Sequence, residues 1–192
     1  MGPEKAFSPP LHVFFMDDGL LSSRLQPAST TMAADTPSSR PRGDEPLDAS
    51  LRPIHTGWLE DARRLLEPAL ELDADFWARW AAVRYIADDF RGQYRLERSL
   101  VNELRPFLQP DVAEQLVRQG ERVFQLRLEL DRIGRRRGTA EAFAGAARSL
   151  LEQLGLWCTE IELATRDLTR DVLPPEGEQI LGHLEAALAM RP

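Results

Sequence analysis

Three groups of side chains in this sequence have types and spacings that could do chemistry. Asp88 and Asp89 are adjacent acids inside a helical pattern. Paired acids on a helix can hold magnesium or act as acid and base. An aspartate-rich diphosphate motif would place a third acid shortly after, where Arg91 and Gly92 stand. The structural alternative is a solvated flank paired with Arg84, Arg91 or Arg95. Arg132, Arg135, Arg136 and Arg137 crowd the end of another helical stretch. They could grip phosphate or an acidic protein surface, or simply suit the negative end of a helix dipole. Glu97 and Gln119 interrupt otherwise apolar seams. Such residues set register or partner number, or serve as ligand groups. With Asp88, Asp89 and Tyr94 they make up a candidate polar pocket.

Other chemistries lack their residues. Di-iron bundles use Glu-x-x-His, but the positions three before His55 and His183 hold Arg52 and Ile180, and His12 lies in a proline-rich tail. The single cysteine, Cys158, can form neither an internal disulfide nor a thiolate metal site by itself. It is expected as a small packing residue beside Trp157. Glycine-rich phosphate loops and supported Ser/His/Asp sets are absent. No catalytic, cofactor-binding or metal-binding residue is assigned, and no cofactor is expected.

The elements that would position these groups are helices. Thr56 is a plausible N-cap, followed by Leu59, Ala62, Leu66 and Leu70 on one face, with Pro68 ending or kinking the helix. Phe76, Trp80, Val83, Ala87, Phe90, Tyr94, Glu97, Val101 and Leu104 alternate steps of four and three, predicting one helix over about 75–104. Val112, Leu116, Gln119, Val123, Leu126, Leu130 and Ile133 repeat this over about 110–137, after a Pro110-Asp111 start signal. Beside that seam, Val117, Phe124 and Leu128 form a second stripe, expected to bury against the last helix or another subunit. A fourth helix is predicted over about 140–173, with Thr139 as its cap and an unbroken seam of Ala140, Phe143, Ala147, Leu150, Leu154, Trp157, Ile161, Ala164 and Leu168. Because the phase passes through Gly155 unchanged, no break is expected there. Pro174 and Pro175 end it, and a last helix runs over about 176–190. Trp80 and Trp157, on seams, are expected in the core. Trp77, one residue off, is a candidate interface residue.

The chain has 192 residues and a formal charge of −7. Residues 1–53 are rich in Pro, Ser and charge and are expected to form a disordered tail, with the helical bundle spanning 54–192. Met32 offers an internal start that would leave 1–31 outside the native protein. No apolar run nears the ~20 residues of a membrane span, and Leu11 to Met16 is too short for a secretory signal. A cytoplasmic protein with no membrane association is expected. An acidic domain repels nucleic acid, so nucleic acid is not expected as a partner. Lys5 is the only lysine among 24 basic residues, and arginine suits salt-bridged helix surfaces.

The segment SLLEQLGLWCTEIE, Ser149 to Glu162, resembles the point where GrpE-type nucleotide exchange factors leave their helical bundle for a small β domain. That resemblance implies a cochaperone role. It transfers no functional residue, and the sequence after Glu162 carries no β-domain pattern. The sequence therefore predicts an all-α fold: an antiparallel bundle of three long heptad-patterned helices with a short helix at each end. The expected function is non-enzymatic, through contact with a protein partner or a second copy of the chain. Trp77, Val117, Phe124, Leu128, Arg132, Arg135, Arg136 and Arg137 are the candidate surface. The alternative is a small-molecule pocket between helices.

Overall fold

The structure is a computed structural model that describes residues 44–71, 76–135 and 139–190. Among them are six α-helices: α1 (Leu47–Leu66), α2 (Phe76–Ala87), α3 (Asp89–Leu104), α4 (Pro110–Arg135), α5 (Ala140–Thr165) and α6 (Pro175–Ala189). The described residues form no strand, only an isolated antiparallel bridge between Pro46 and Thr169. α5 packs on α4 and α1, α3 packs on α6, and α2 touches α1, α3 and α4. The all-α class agrees with the periodicity of the sequence. The tail before residue 44 lies outside the described residues, as does His12.

α1 begins well ahead of Thr56. Pro46 is extended, and the Leu47 N–H donates to the Leu168 carbonyl at 2.8 Å. An orphan donor at the helix start is thus satisfied by the segment beyond α5 rather than by a neighbouring side chain. Thr56 is an exposed mid-helix residue, so the cap read there is corrected. Leu47 and Leu51, read as tail, are fully buried. Pro53 lies inside the helix on its exposed side. There it forfeits only the bond to the Ala49 carbonyl, which water can take. At the far end Pro68 sits in a short 3-10 turn, Glu67–Ala69, where the helix was expected to stop.

The helix predicted over 75–104 is interrupted at Asp88, whose ψ of −79° departs from helical geometry. Hydrogen bonds of helical spacing nevertheless pass through it, from the Asp88 N–H to the Arg84 carbonyl at 3.1 Å and from the Gly92 N–H to the Asp88 carbonyl at 3.0 Å. In α3 the seam residues Phe90, Tyr94, Glu97, Val101 and Leu104 are buried. In α2 the buried residues are Ala82, Tyr85 and Ile86, while Trp80 is 46% exposed. The expectation of Trp80 in the core is therefore wrong: a strict 3.5-residue seam traced back from α3 drifts off the buried face, which in α2 runs through Ala82 and Ile86. Just before the break, the Ile86 carbonyl accepts from Arg127 Nε at 3.1 Å.

α4 starts at Pro110 with Asp111 in its first turn, as its start signals indicate. α5 starts after Thr139, whose Oγ1 accepts from the Ala142 N–H at 3.2 Å. Phe143, Ala147, Leu150, Leu154, Trp157 and Ile161 are all buried along α5, and Gly155 lies within it. The helix stops at Thr165 instead of continuing to Leu173. The Thr165 hydroxyl donates back to the Ile161 carbonyl at 2.8 Å, a bond that competes with helix continuation. Arg170, in the 3-10 turn that follows, donates to Glu178 and Glu185 of α6 and ties the connection to that helix.

An aromatic cluster joins the elements. Trp58 of α1 contacts Phe90 of α3 and Trp157 of α5, with ring centroids 5.2 and 6.3 Å apart. Trp157 fits because Gly120 of α4 has no side chain: a Cβ there would lie 2.9 Å from Trp157 Cζ2. The Trp157 Nε1–H donates to the Leu116 carbonyl at 3.0 Å, which satisfies the polar end of a buried indole.

Candidate functional site

Three places combine polar chemistry with a defined geometry. The first is buried. His55 of α1 lies between two glutamates, its Nδ1 2.8 Å from Glu162 Oε1 of α5 and its Nε2 3.5 Å from Glu97 Oε2 of α3. His55 is 1% exposed and Glu97 fully enclosed. Gln93 Nε2 donates to the other Glu97 oxygen at 3.3 Å. Burial pushes the imidazole pKa down. The charge of Glu97, the hydrogen bond to Glu162, the close approach of Glu97 and the charge of Glu162 outweigh that and raise it to about 9. His55 is thus a cation at neutral pH, neutralising part of the charge that two glutamates bring into the interior. Arg52 Nε, 3.8 Å from Glu162 Oε2, adds a second cation at the outer edge.

This cluster can hold a proton but is built to do little else. Both ring nitrogens already face carboxylates, on opposite sides of the imidazole, so they do not converge on a common ligand. Among the described residues no three His, Cys, Asp or Glu side chains form a metal-binding group. Cys158 is buried, and burial first, then the charges of Glu97 and Glu162, pushes its thiol well above the usual range. A protonated, enclosed thiol is a poor nucleophile. The cluster's role is to tie α1, α3 and α5 together.

The second place is a cleft of about 910 Å³ between α2, α4 and α5, lined by Trp80, Val83 and Arg84 from α2 and by Ile133, Arg135 and Phe143 opposite. Trp77 is 69% exposed. Its ring meets Trp80 edge-on at a centroid distance of 6.1 Å, and the Arg84 guanidinium sits 5.6 Å over Trp80. At the cleft wall Val83 packs closely on Gly134, where a Cβ would collide with the Val83 side chain. The third place is a groove of about 760 Å³ between α3 and α4, into whose walls Tyr94, Phe124 and Leu128 are built.

The five residues of the expected polar pocket do not share one site. Glu97 faces His55 in the interior. Tyr94 lines the α3–α4 groove, and its hydroxyl pKa is raised by burial first, against the opposing effect of Arg98. Asp88 and Asp89 are exposed and border a separate cleft near Gln93. Gln119 is half-buried on α4. The single-pocket expectation is corrected accordingly: Asp88 and Asp89, Tyr94 and Glu97 point to three different sides of α3 and its N-terminal end, and Gln119 stands on another helix.

The expected interaction surface divides as well. Trp77, Arg132 and Arg135 are exposed at one region of α2 and α4, with Arg135 Nε bonded to Asp131 at 2.7 Å. Arg136 and Arg137 lie outside the described residues. Phe124 stacks on Tyr94 of α3, with centroids 5.5 Å apart. Val117 is half-buried and Leu128 39% exposed. The stripe is therefore covered in part by α3, and not by α6. His183 is exposed on α6. The segment Ser149 to Glu162 lies wholly inside α5.

Sequence reasoning missed Arg127, set His55 aside for want of a Glu three residues before it, and assigned Trp80 to the core. The polar intrusion at Glu97 was visible, but its partner lies in another helix and nothing local points to it. No protein-family model, curated protein or solved structure matches this chain. Among the described residues no helix is long and apolar enough to cross a membrane.

Proposed function

We propose that this chain is a non-enzymatic helical-bundle protein that acts through protein–protein contacts, as an adaptor, an assembly factor or a cochaperone-like factor. Its long helices, read as an antiparallel bundle, serve as a rigid frame. The observation that supports this reading is the Trp77–Trp80–Arg84 stack standing exposed beside the α2–α4–α5 cleft. Exposed tryptophan pairs are costly in water, and tryptophan and arginine dominate the energetics of interfaces. Arg84, set over the exposed Trp80, favours a partner segment with an apolar anchor beside an acid. The chemistry at His55 is enclosed and so offers no competing enzymatic reading.

The test compares the wild-type chain with Trp77→Ala/Trp80→Ala by crosslinked capture from native cells and by analytical ultracentrifugation. A protein or a second copy bound by the wild type and lost by the variant, with unchanged thermal unfolding, supports the proposal. Equal capture and equal self-association by both forms would remove it.

A further inference from the structure

The α3–α4 groove carries an unneutralised cluster of arginines. Arg91, Arg95 and Arg98 sit at intervals of four and three on α3, so they share one helix face. Arg127 faces them from α4. Among the described residues none of the four lies within ion-pair distance of a carboxylate, although five other arginines of the chain do. The chain has 31 acidic residues against 24 basic ones, so acids were available to neutralise this place and do not. Two acids border the groove without pairing to it, though the charge of Asp131 still acts on Arg127. Asp131 is bonded to Arg135, and Glu121 lies toward Tyr94.

Arg127 makes the cluster more than a solvated face. It is only 6% exposed, with its Nε held by the Ile86 carbonyl. Holding a guanidinium among other guanidinium groups in a partly enclosed groove is unfavourable without an anion. Burial first, and then the charges of Arg91, Arg95 and Arg135, pulls the Arg127 pKa down against the opposing pull of Asp131. Ser99 and Asn102 supply neutral hydrogen-bonding groups along the same wall. The volume of about 760 Å³ falls in the range of small-molecule sites.

We propose that this groove binds a small, multiply charged phosphate compound, with Arg127 at its base and Arg91, Arg95 and Arg98 along its wall. Planar guanidinium forks match phosphate oxygens in pairs, and several cations around one cavity favour a ligand with several phosphoryl groups over a single carboxylate. The site shares no lining residue with the tryptophan cleft and does not rest on the proposed protein-contact function.

The test is isothermal titration of the full chain with inorganic tripolyphosphate at about 0.1 M salt, where exposed charges are well screened. One site is expected, with affinity reduced about tenfold by each of the exposed changes Arg95→Gln and Arg98→Gln. Arg127→Met should abolish binding. Because Arg127 also holds the Ile86 carbonyl, the two exposed variants keep the test independent of folding. Arg148→Gln, on an exposed position of α5, should leave the affinity unchanged. Absence of binding up to about 1 mM, affinity equal in Arg95→Gln and wild type, or binding of a poly-glutamate peptide in preference to tripolyphosphate would each overturn the proposal.

Discussion

Replacing His55 by Phe should destabilise the protein strongly, with a pH signature that packing loss alone cannot produce. In the folded chain the imidazole titrates at about 9, against 6.5 for an unperturbed histidine. The difference corresponds to about 3 kcal/mol of stability linked to protonation. Since the folded pKa is the higher one, this contribution is fully present below pH 6.5. It declines between 6.5 and 9 and is gone above that range. His55→Phe removes the cation and leaves the fully buried Glu97 facing an apolar ring. Breaking a buried pair by one partner costs about 3–5 kcal/mol, whereas replacing both partners with apolar residues is often near neutral. His55→Met/Glu97→Met should therefore recover at least half of the loss. The assay is urea unfolding followed by circular dichroism at intervals from pH 6 to pH 10. Wild-type stability should fall across that range relative to the double variant. A wild type as pH-independent as the double variant, or a His55→Phe protein as stable as wild type at pH 6, would refute the charge assignment.

Gly120→Ala should lower stability by about 1–3 kcal/mol in the same unfolding assay, because the new methyl presses on Trp157. The helix-propensity gain of about 1 kcal/mol offsets only part of that, and a stabilised variant would contradict the close packing. Arg170→Met should cost about 1–2 kcal/mol, discounted because Glu178 and Glu185 are partly exposed. The loss should shrink in high salt, and a salt-independent effect would point to packing instead. Cys158 should resist a thiol reagent such as dithionitrobenzoate in the native protein and react at once in urea, as its enclosed, protonated thiol requires. Rapid native labelling would show that the site opens.

The features legible in the sequence are those set within one helix. The α5 seam from Phe143 to Ile161, the Thr139 cap and the Pro110 start depend on residues within a few positions of each other, and periodicity reports them directly. The start of α1 was illegible because its first N–H is satisfied by Leu168, more than a hundred positions away. The same holds for His55, whose partner Glu162 is 107 residues distant. Glu97 was conspicuous as an acid in an apolar seam, yet the reason for it lies on another helix. At Asp88 no proline or glycine marks the interruption, so a continuous 4-3 pattern suggested a single rod. The arginine groove escaped notice because Arg91, Arg95 and Arg98 look like any solvated helix face until Arg127 is set against them.

Residues along α2 and α3 carry unequal obligations to the fold. In α3, Phe90 and Glu97 are locked to other helices, and exchanging them means rebuilding the interior. In α2, Ala82 and Ile86 are enclosed in the same way, whereas Trp77 and Trp80 stand largely outside the core and can be exchanged at less structural cost. Substitutions at Trp77 and Trp80 therefore probe the surface while leaving the interior as it is.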